Sequence, residues 1–196
     1  MKDGNMGVKI LAFSGSARKN SIHKKLLQNA VKGARDAGAD VTLIDLRDFP
    51  IPIYDGDLED NEGIPENAQR IRALFKSHDG ILLACPEYNS SITPLLKNII
   101  DWVSRPEDGN SGLVHYSGKT AALLAASGGN LAGLRGLFTV RQILSVLGVH
   151  VIPEQFGLSG ADKAFDDDGA ISNENSRRMA ESIGAALAAT TAKLKG

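Results

Sequence analysis

One cysteine, Cys85, stands among the 196 residues, so no disulfide can close within the chain. A reducing, cytoplasmic setting is the expectation that follows. Net charge is equally sparse. A formal value of -1 gives no basic surface for nucleic acid or for an anionic membrane. No apolar run reaches the roughly 18 residues that a membrane span needs. Met1 to Gly7 is polar and contains glycine, without the basic and apolar zones of a secretory signal, and reads as a flexible end before the first strand. Repeats and low-complexity tracts are missing too. What is present is ordinary for a soluble globular chain: 42% hydrophobic and 23% charged residues, enough for one domain over 8–196 with a sizeable core.

Apolar runs alternate with amphipathic stretches from Val8 onward. Val8 to Phe13 is short, apolar and followed by small polar residues, which predicts a buried strand. Ile22, Leu26, Leu27, Ala30, Val31 and Ala34 recur at helical spacing, and Gly38 closes that helix. Val41 to Leu46 reads as a second strand, Phe49 to Gly63 as a loop rich in Pro, Asp and Gly, and Pro65 opens the next helix. Gly80 to Ala84 is a third strand. Thr93-Pro94 has the form of an N-cap followed by proline at the first helical position. Thr120 to Ala126 reads as a fourth strand, Leu134 to Leu147 as a helix, Val149 to Ile152 as a fifth strand and Ser172 to Lys195 as a last helix. Five such units with right-handed crossovers predict an α/β fold: one five-stranded parallel sheet with helices on both faces, in the order 2-1-3-4-5.

Ligands of such sheets bind outside the carboxyl ends of the strands, at the switch in strand order. For this order that selects the loops after strands one, three and four, which have the most unusual compositions in the chain. The first is Ser14-Gly15-Ser16-Ala17-Arg18-Lys19-Asn20-Ser21. It leads into a helix start, where unpaired N–H groups and the positive dipole end favour an anion, and Arg18 can grip a phosphate through two parallel hydrogen bonds. A serine-capped turn with one solvated arginine fits the same residues. The second loop, Pro86-Glu87-Tyr88-Asn89-Ser90-Ser91, offers a rigid strand exit, an amphipathic ring and an amide able to meet a heterocycle carrying both donors and acceptors. In the third, Ser127-Gly128-Gly129-Asn130, adjacent glycines allow a flat ligand close to the backbone. Each of these two loops alone is also compatible with an ordinary turn. Together the three describe a phosphate cradle and two walls of a slot, a shape suited to flavin mononucleotide (FMN).

Other phosphate and nucleophile motifs are excluded. G-x-G-x-x-G does not follow the first strand. Gly112 to Thr120 resembles a P-loop but has five residues between its glycines, and a strand follows Lys119 where a P-loop needs a helix. A G-x-S-x-G elbow is missing. His23, His78, His115 and His150 lack metal-ligand spacing, and Asp166-Asp167-Asp168-Gly169 fails the calcium-loop pattern and reads as a solvated turn. Cys85 reads as a small buried hydrophobe, Arg105 and Arg135 as surface ion-pair partners, and Glu87 either as a carboxylate at the ligand's edge or as a residue facing solvent.

The set Gly15-Ser16-Ala17-Arg18-Lys19-Asn20-Ser21, Pro86-Glu87-Tyr88-Asn89 and Leu96-Lys97-Asn98-Ile99-Ile100-Asp101-Trp102 resembles the NADPH-dependent FMN reductase family, which includes quinone, azo-dye and chromate reductases. The resemblance runs from about Val8 to Ile152. It implies a flavodoxin-like three-layer fold, with Ser16, Arg18, Asn20 and Ser21 on the FMN phosphate and Ser14 at the edge of that cradle. Pro86, Glu87, Tyr88 and Asn89 would line the isoalloxazine, mainly through backbone groups, with Ser127 and Gly128 at its other edge. It also implies NADPH or NADH as co-substrate, a small-molecule electron acceptor, and a homodimer or homotetramer joined through the helices that start near Thr93 and Leu131. The flavin carries the hydride, so no side chain is nominated as a catalytic acid or base. Two rival functions remain open: a flavodoxin-type electron carrier, against which the near-neutral charge argues, and a binding or sensor module.

Overall fold

A computed structural model describes residues 7–107 and 109–195. Its sheet contains β1 (Lys9–Ser14), β2 (Asp40–Leu43), β3 (Gly80–Ala84), β6 (Thr120–Ala126) and β7 (His150–Leu158), while β4 (Glu87–Tyr88) and β5 (Ser91–Ile92) form a separate antiparallel hairpin. The helices are α1 (Ile22–Asp36), α2 (Gly56–Glu62), α3 (Glu66–Ser77), α4 (Pro94–Val103), α5 (Leu134–Val146) and α6 (Glu174–Lys195). The sheet runs β2-β1-β3-β6-β7, all parallel. With the hairpin set aside, that is the expected 2-1-3-4-5 order. The expectation of a loose end over 1–7 falls, apart from Gly7, outside the described residues.

Central strands are buried on both faces, which is why β1, β3 and β6 read as unbroken apolar runs. Side-chain alternation then divides the core. Ile10, Ala12, Leu82, Ala84, Ala122 and Leu124 face α1 and α6, whereas Leu11, Phe13, Ile81, Leu83, Ala121 and Leu123 face α3, α4 and α5. In the first layer two glycines bring the helices close together. A Cβ on Gly33 would lie 1.9 Å from the Glu181 carbonyl oxygen, and one on Gly184 would lie 1.9 Å from that of Ala30. Helices α1 and α6 therefore touch backbone to backbone. The second layer is aromatic: Phe75 meets Tyr116 edge-on at 5.1 Å, and the buried Tyr116 hydroxyl donates to the Ile100 carbonyl at 3.1 Å.

Four elements differ from expectation. β2 ends at Leu43, and Leu46–Asp48 is a short 3-10 turn capped by Asp45. The segment read as a loop holds α2, started by the Asp55 carboxylate accepting from the Asp57 N–H at 2.9 Å; it buries no residue, so it has no apolar stripe to read. β7 continues through Pro153 to Leu158. Its pairing with β6 jumps from Ala121–Val151 to Leu123–Gln155, a bulge on an edge strand where a missing N–H is tolerated. Glu87–Ile92, expected as plain loop, forms the hairpin. As expected, β6 and not a helix follows Lys119, and Thr93 caps α4 with its hydroxyl accepting from the Leu96 N–H at 3.3 Å. Among the described residues, no helix is long and apolar enough to cross a membrane.

Candidate functional site

Three loops meet beyond the carboxyl ends of β1, β3 and β6. The first is pinned under α4: the Gly15 N–H donates to Ala84 O at 3.0 Å, and the Thr93 hydroxyl donates to Gly15 O at 2.7 Å. A Cβ on Gly15 would lie 2.9 Å from the Leu96 Cβ, so the close pass requires glycine. Ser21 caps α1 by accepting from the His23 N–H at 3.2 Å, and the Ser16 hydroxyl accepts from the Arg18 N–H at 3.3 Å. Both hydroxyls keep their own protons to donate outward. The Arg18 guanidinium is exposed and has no ion-pair partner among the described residues.

The second loop is the hairpin. Asn89 and Ser90 have φ of 51° and 67°, the paired left-handed values of a two-residue primed turn. Tyr88 is 56% exposed. The Glu87 carboxylate is already engaged: it accepts from Arg135 at 2.8 and 3.2 Å and from the Gly136 N–H at 2.9 Å, which clamps the hairpin to the start of α5. Burial works to raise its pKa, but the bonds from Gly136 and Arg135 and the arginine charge outweigh it and hold the carboxyl below its usual range. In the third loop, Ser127 donates its N–H to Leu158 O and accepts at its carbonyl from the Ala161 N–H, both at 3.0 Å. The Ser127 hydroxyl accepts from the Gly129 N–H at 3.1 Å.

These loops enclose a cavity of about 420 Å³ lined by Ser16, Arg18, Asn20, Ser21, Pro86, Glu87, Tyr88, Ser127 and Gly128, with Ile22, His23, Ala126, Gly133 and Asp162 added. That size suits a small-molecule ligand. Two expected residues stand apart from it. Ser14 shares the strand face of Ile10 and Ala12, so its hydroxyl turns toward α1, into a separate cavity beside Lys24 and Asp45, where it is buried with no hydrogen-bond partner among the described residues. Asn89 sits at the hairpin tip. His23 and Asp162 were missed: a lone histidine carries no motif, and Asp162 lies in a loop beyond a strand expected to end at Ile152.

The remaining candidates are structural. Cys85 is fully buried, which pushes its thiol pKa up. Arg105 pairs with Glu59 at 2.7 Å, and Arg135 with Glu87. Asp166 accepts from the Ala170 N–H at 2.8 Å in a closed turn.

The chain belongs to the NADPH-dependent FMN reductase family, whose model matches residues 8–163. Among its relatives, an NAD(P)H-dependent FMN reductase of Pseudomonas aeruginosa is 36% identical over 191 residues, covering 96% of this chain and 98% of the relative. An NAD(P)H:quinone oxidoreductase of Solanum tuberosum is 34% identical over 194 residues, covering 96% and 95%. In three dimensions the chain is similar to FerB, a flavoenzyme NAD(P)H:(acceptor) oxidoreductase of Paracoccus denitrificans, with a TM-score of 0.77 at 24% identity over 95% of this chain and 98% of that one. An archaeal flavodoxin superposes with a TM-score of 0.61 at 10% identity, over 96% and 99% of the two chains. The fold is flavodoxin-like.

Proposed function

We propose that the chain is an FMN-dependent NAD(P)H oxidoreductase that reduces quinones, azo compounds, metal oxyanions or free flavin, working from one FMN-binding domain over 8–196. The observation that carries this reading is Arg18. It is a guanidinium with no ion-pair partner among the described residues, lining with Ser16 and Ser21 a slot of flavin size at the amino end of α1. Those groups match a phosphate dianion in charge and in donors.

Bound FMN supplies the hydride chemistry. The protein's part is placement and electrostatics. Ser16, Arg18, Asn20 and Ser21 would hold the phosphate. Pro86, Tyr88, Ser127 and Gly128 would border the ring, with Glu87 contributing backbone because its carboxylate is engaged. NADPH or NADH would enter from the exposed Tyr88 side and leave before the acceptor arrives. Ser14 is turned away from the slot, toward Lys24 and Asp45, and Asn89 could reach the ring only from the hairpin tip. Leu131, Phe138 and Val146 leave an exposed apolar face around α5, 56%, 58% and 77% accessible, which supports a homodimer or homotetramer. A cytoplasmic setting fits the single, inert thiol.

Purified protein reconstituted with FMN should oxidise NADPH rapidly once a quinone is added. A flavodoxin-type carrier would show flavin absorbance but almost no such turnover. Colourless protein that takes up no FMN would remove both readings.

A further inference from the structure

His23, the second residue of α1, belongs to two parts of the site at once. Its N–H is held by the cap residue Ser21. Its ring reaches across the sheet edge, where Nε2 accepts from the Ala126 N–H at 3.1 Å. The main chain of Cys85 lies beside the same ring, and because the Cys85 N–H is given to Leu124 O at 2.7 Å, the group it presents is its carbonyl. A nitrogen that accepts from an amide carries no proton, so the hydrogen sits on Nδ1 and the ring is neutral. Burial sustains that state by lowering the pKa of His23 to about 4, against a smaller upward effect of the Cys85 main chain.

The two partners are not a random pair. In a parallel ladder, a strand residue that donates to one carbonyl accepts at its own carbonyl from the residue two further along the neighbour. Since Cys85 donates to Leu124, the next rung between β3 and β6 would run from the Ala126 N–H to the Cys85 carbonyl. In this protein the Ala126 N–H binds the imidazole instead, with the Cys85 main chain beside the ring. The ring stands where that rung would form, and it satisfies the Ala126 N–H in its place. Pro86 follows one strand immediately, and Ser127 follows the other; both line the cavity.

We propose that His23 is a positioning residue whose neutral imidazole replaces one rung between β3 and β6, and so sets the gap between Pro86 and Ser127 in which the flavin ring is held. This rests on the function proposed above. It assigns His23 to the ring slot, separate from the phosphate grip of Arg18.

Two variants test it. His23→Gln keeps a donor and an acceptor at similar reach, and His23→Leu fills the space with neither. FMN affinity, read by flavin fluorescence on titration, should fall about tenfold in His23→Leu, as expected for a lost buried hydrogen bond. It should recover in His23→Gln. Riboflavin affinity should fall by the same factor, because the phosphate cradle is untouched. In cofactor-free protein, amide exchange at Ala126 should be slow in the parent and His23→Gln and fast in His23→Leu. Ring nitrogen shifts of the parent, which need no variant to fold, should report hydrogen on Nδ1. Unchanged FMN affinity in His23→Leu, no recovery in His23→Gln, or a cationic ring at neutral pH would overturn the proposal. A loss confined to FMN with riboflavin unaffected would also overturn it, by moving His23 into the phosphate cradle. If the parent bound no FMN, the proposed function would fall, while slow exchange that still followed the acceptor at residue 23 would uphold the rung.

Discussion

The two ends of the sheet are lined with similar polar groups and differ in what those groups are doing. At the amino end, Lys76, Lys119 and Lys195 border a cavity of about 230 Å³. All three are engaged: Lys195 with Asp79 at 2.9 Å, Lys119 with the His78 carbonyl, and Lys76 with Glu107. Even the Thr120 hydroxyl is paired with that of Thr191, at 2.6 Å. At the carboxyl end, Arg18 has no partner among the described residues, and Ser16, Ser21 and Ser127 accept from their own turns while keeping protons to donate. A cavity becomes a binding site through polar groups left to be satisfied, and the number of charges around it is a poor guide. The geometric reason is that loops leaving parallel strands at the carboxyl end run into helix starts, which present donors in excess.

The largest effect expected at the carboxyl end is one of pH. His23 has a folded pKa of about 4 against an ordinary 6.5, so the unfolded chain takes up a proton between those values that the folded protein refuses. The stability of the cofactor-free protein should be complete above about pH 6.5 and decline as pH falls through 4, by on the order of 3 kcal/mol. Urea unfolding at a series of pH values checks this, and His23→Gln should flatten the window. Next, Arg18→Ala should weaken FMN binding by roughly 1.5–3 kcal/mol through loss of a charged hydrogen bond. Calorimetric titration with unchanged affinity would dissolve the contrast between the two ends. The smallest effect belongs to the amino end. Lys195→Ala should lower stability by about 0.5 kcal/mol or less, since the pair with Asp79 is half-exposed, and should leave FMN affinity as it was.

Features carried by local pattern were legible. β3 and β6 match their expected bounds, and the Thr93-Pro94 cap is where its residue types put it, because burial on both faces and helix capping act within a few residues. Features made by distant contacts were not. Pro153 masked the second half of β7, and only the strand's edge position and bulge explain how it continues. Asn89-Ser90 lacks the glycine that usually announces a primed turn. The engagement of Glu87 depends on Gly136 and Arg135, and that of His23 on Ala126, partners that no periodicity connects. Ser14 stands one step of alternation from the slot: a place in the first loop does not fix the side of the strand on which its hydroxyl lies.

The close pass of α6 over α1 at Gly33 and Gly184 bears on how the molecule is made. The helix that completes this face of the core emerges from the ribosome long after α1. Until α6 docks, the nascent chain must carry an apolar sheet face open to water, the kind of surface that chaperones shelter. Replacing either glycine with a larger residue would therefore strike first at yield in the cell, ahead of turnover by whatever protein does fold.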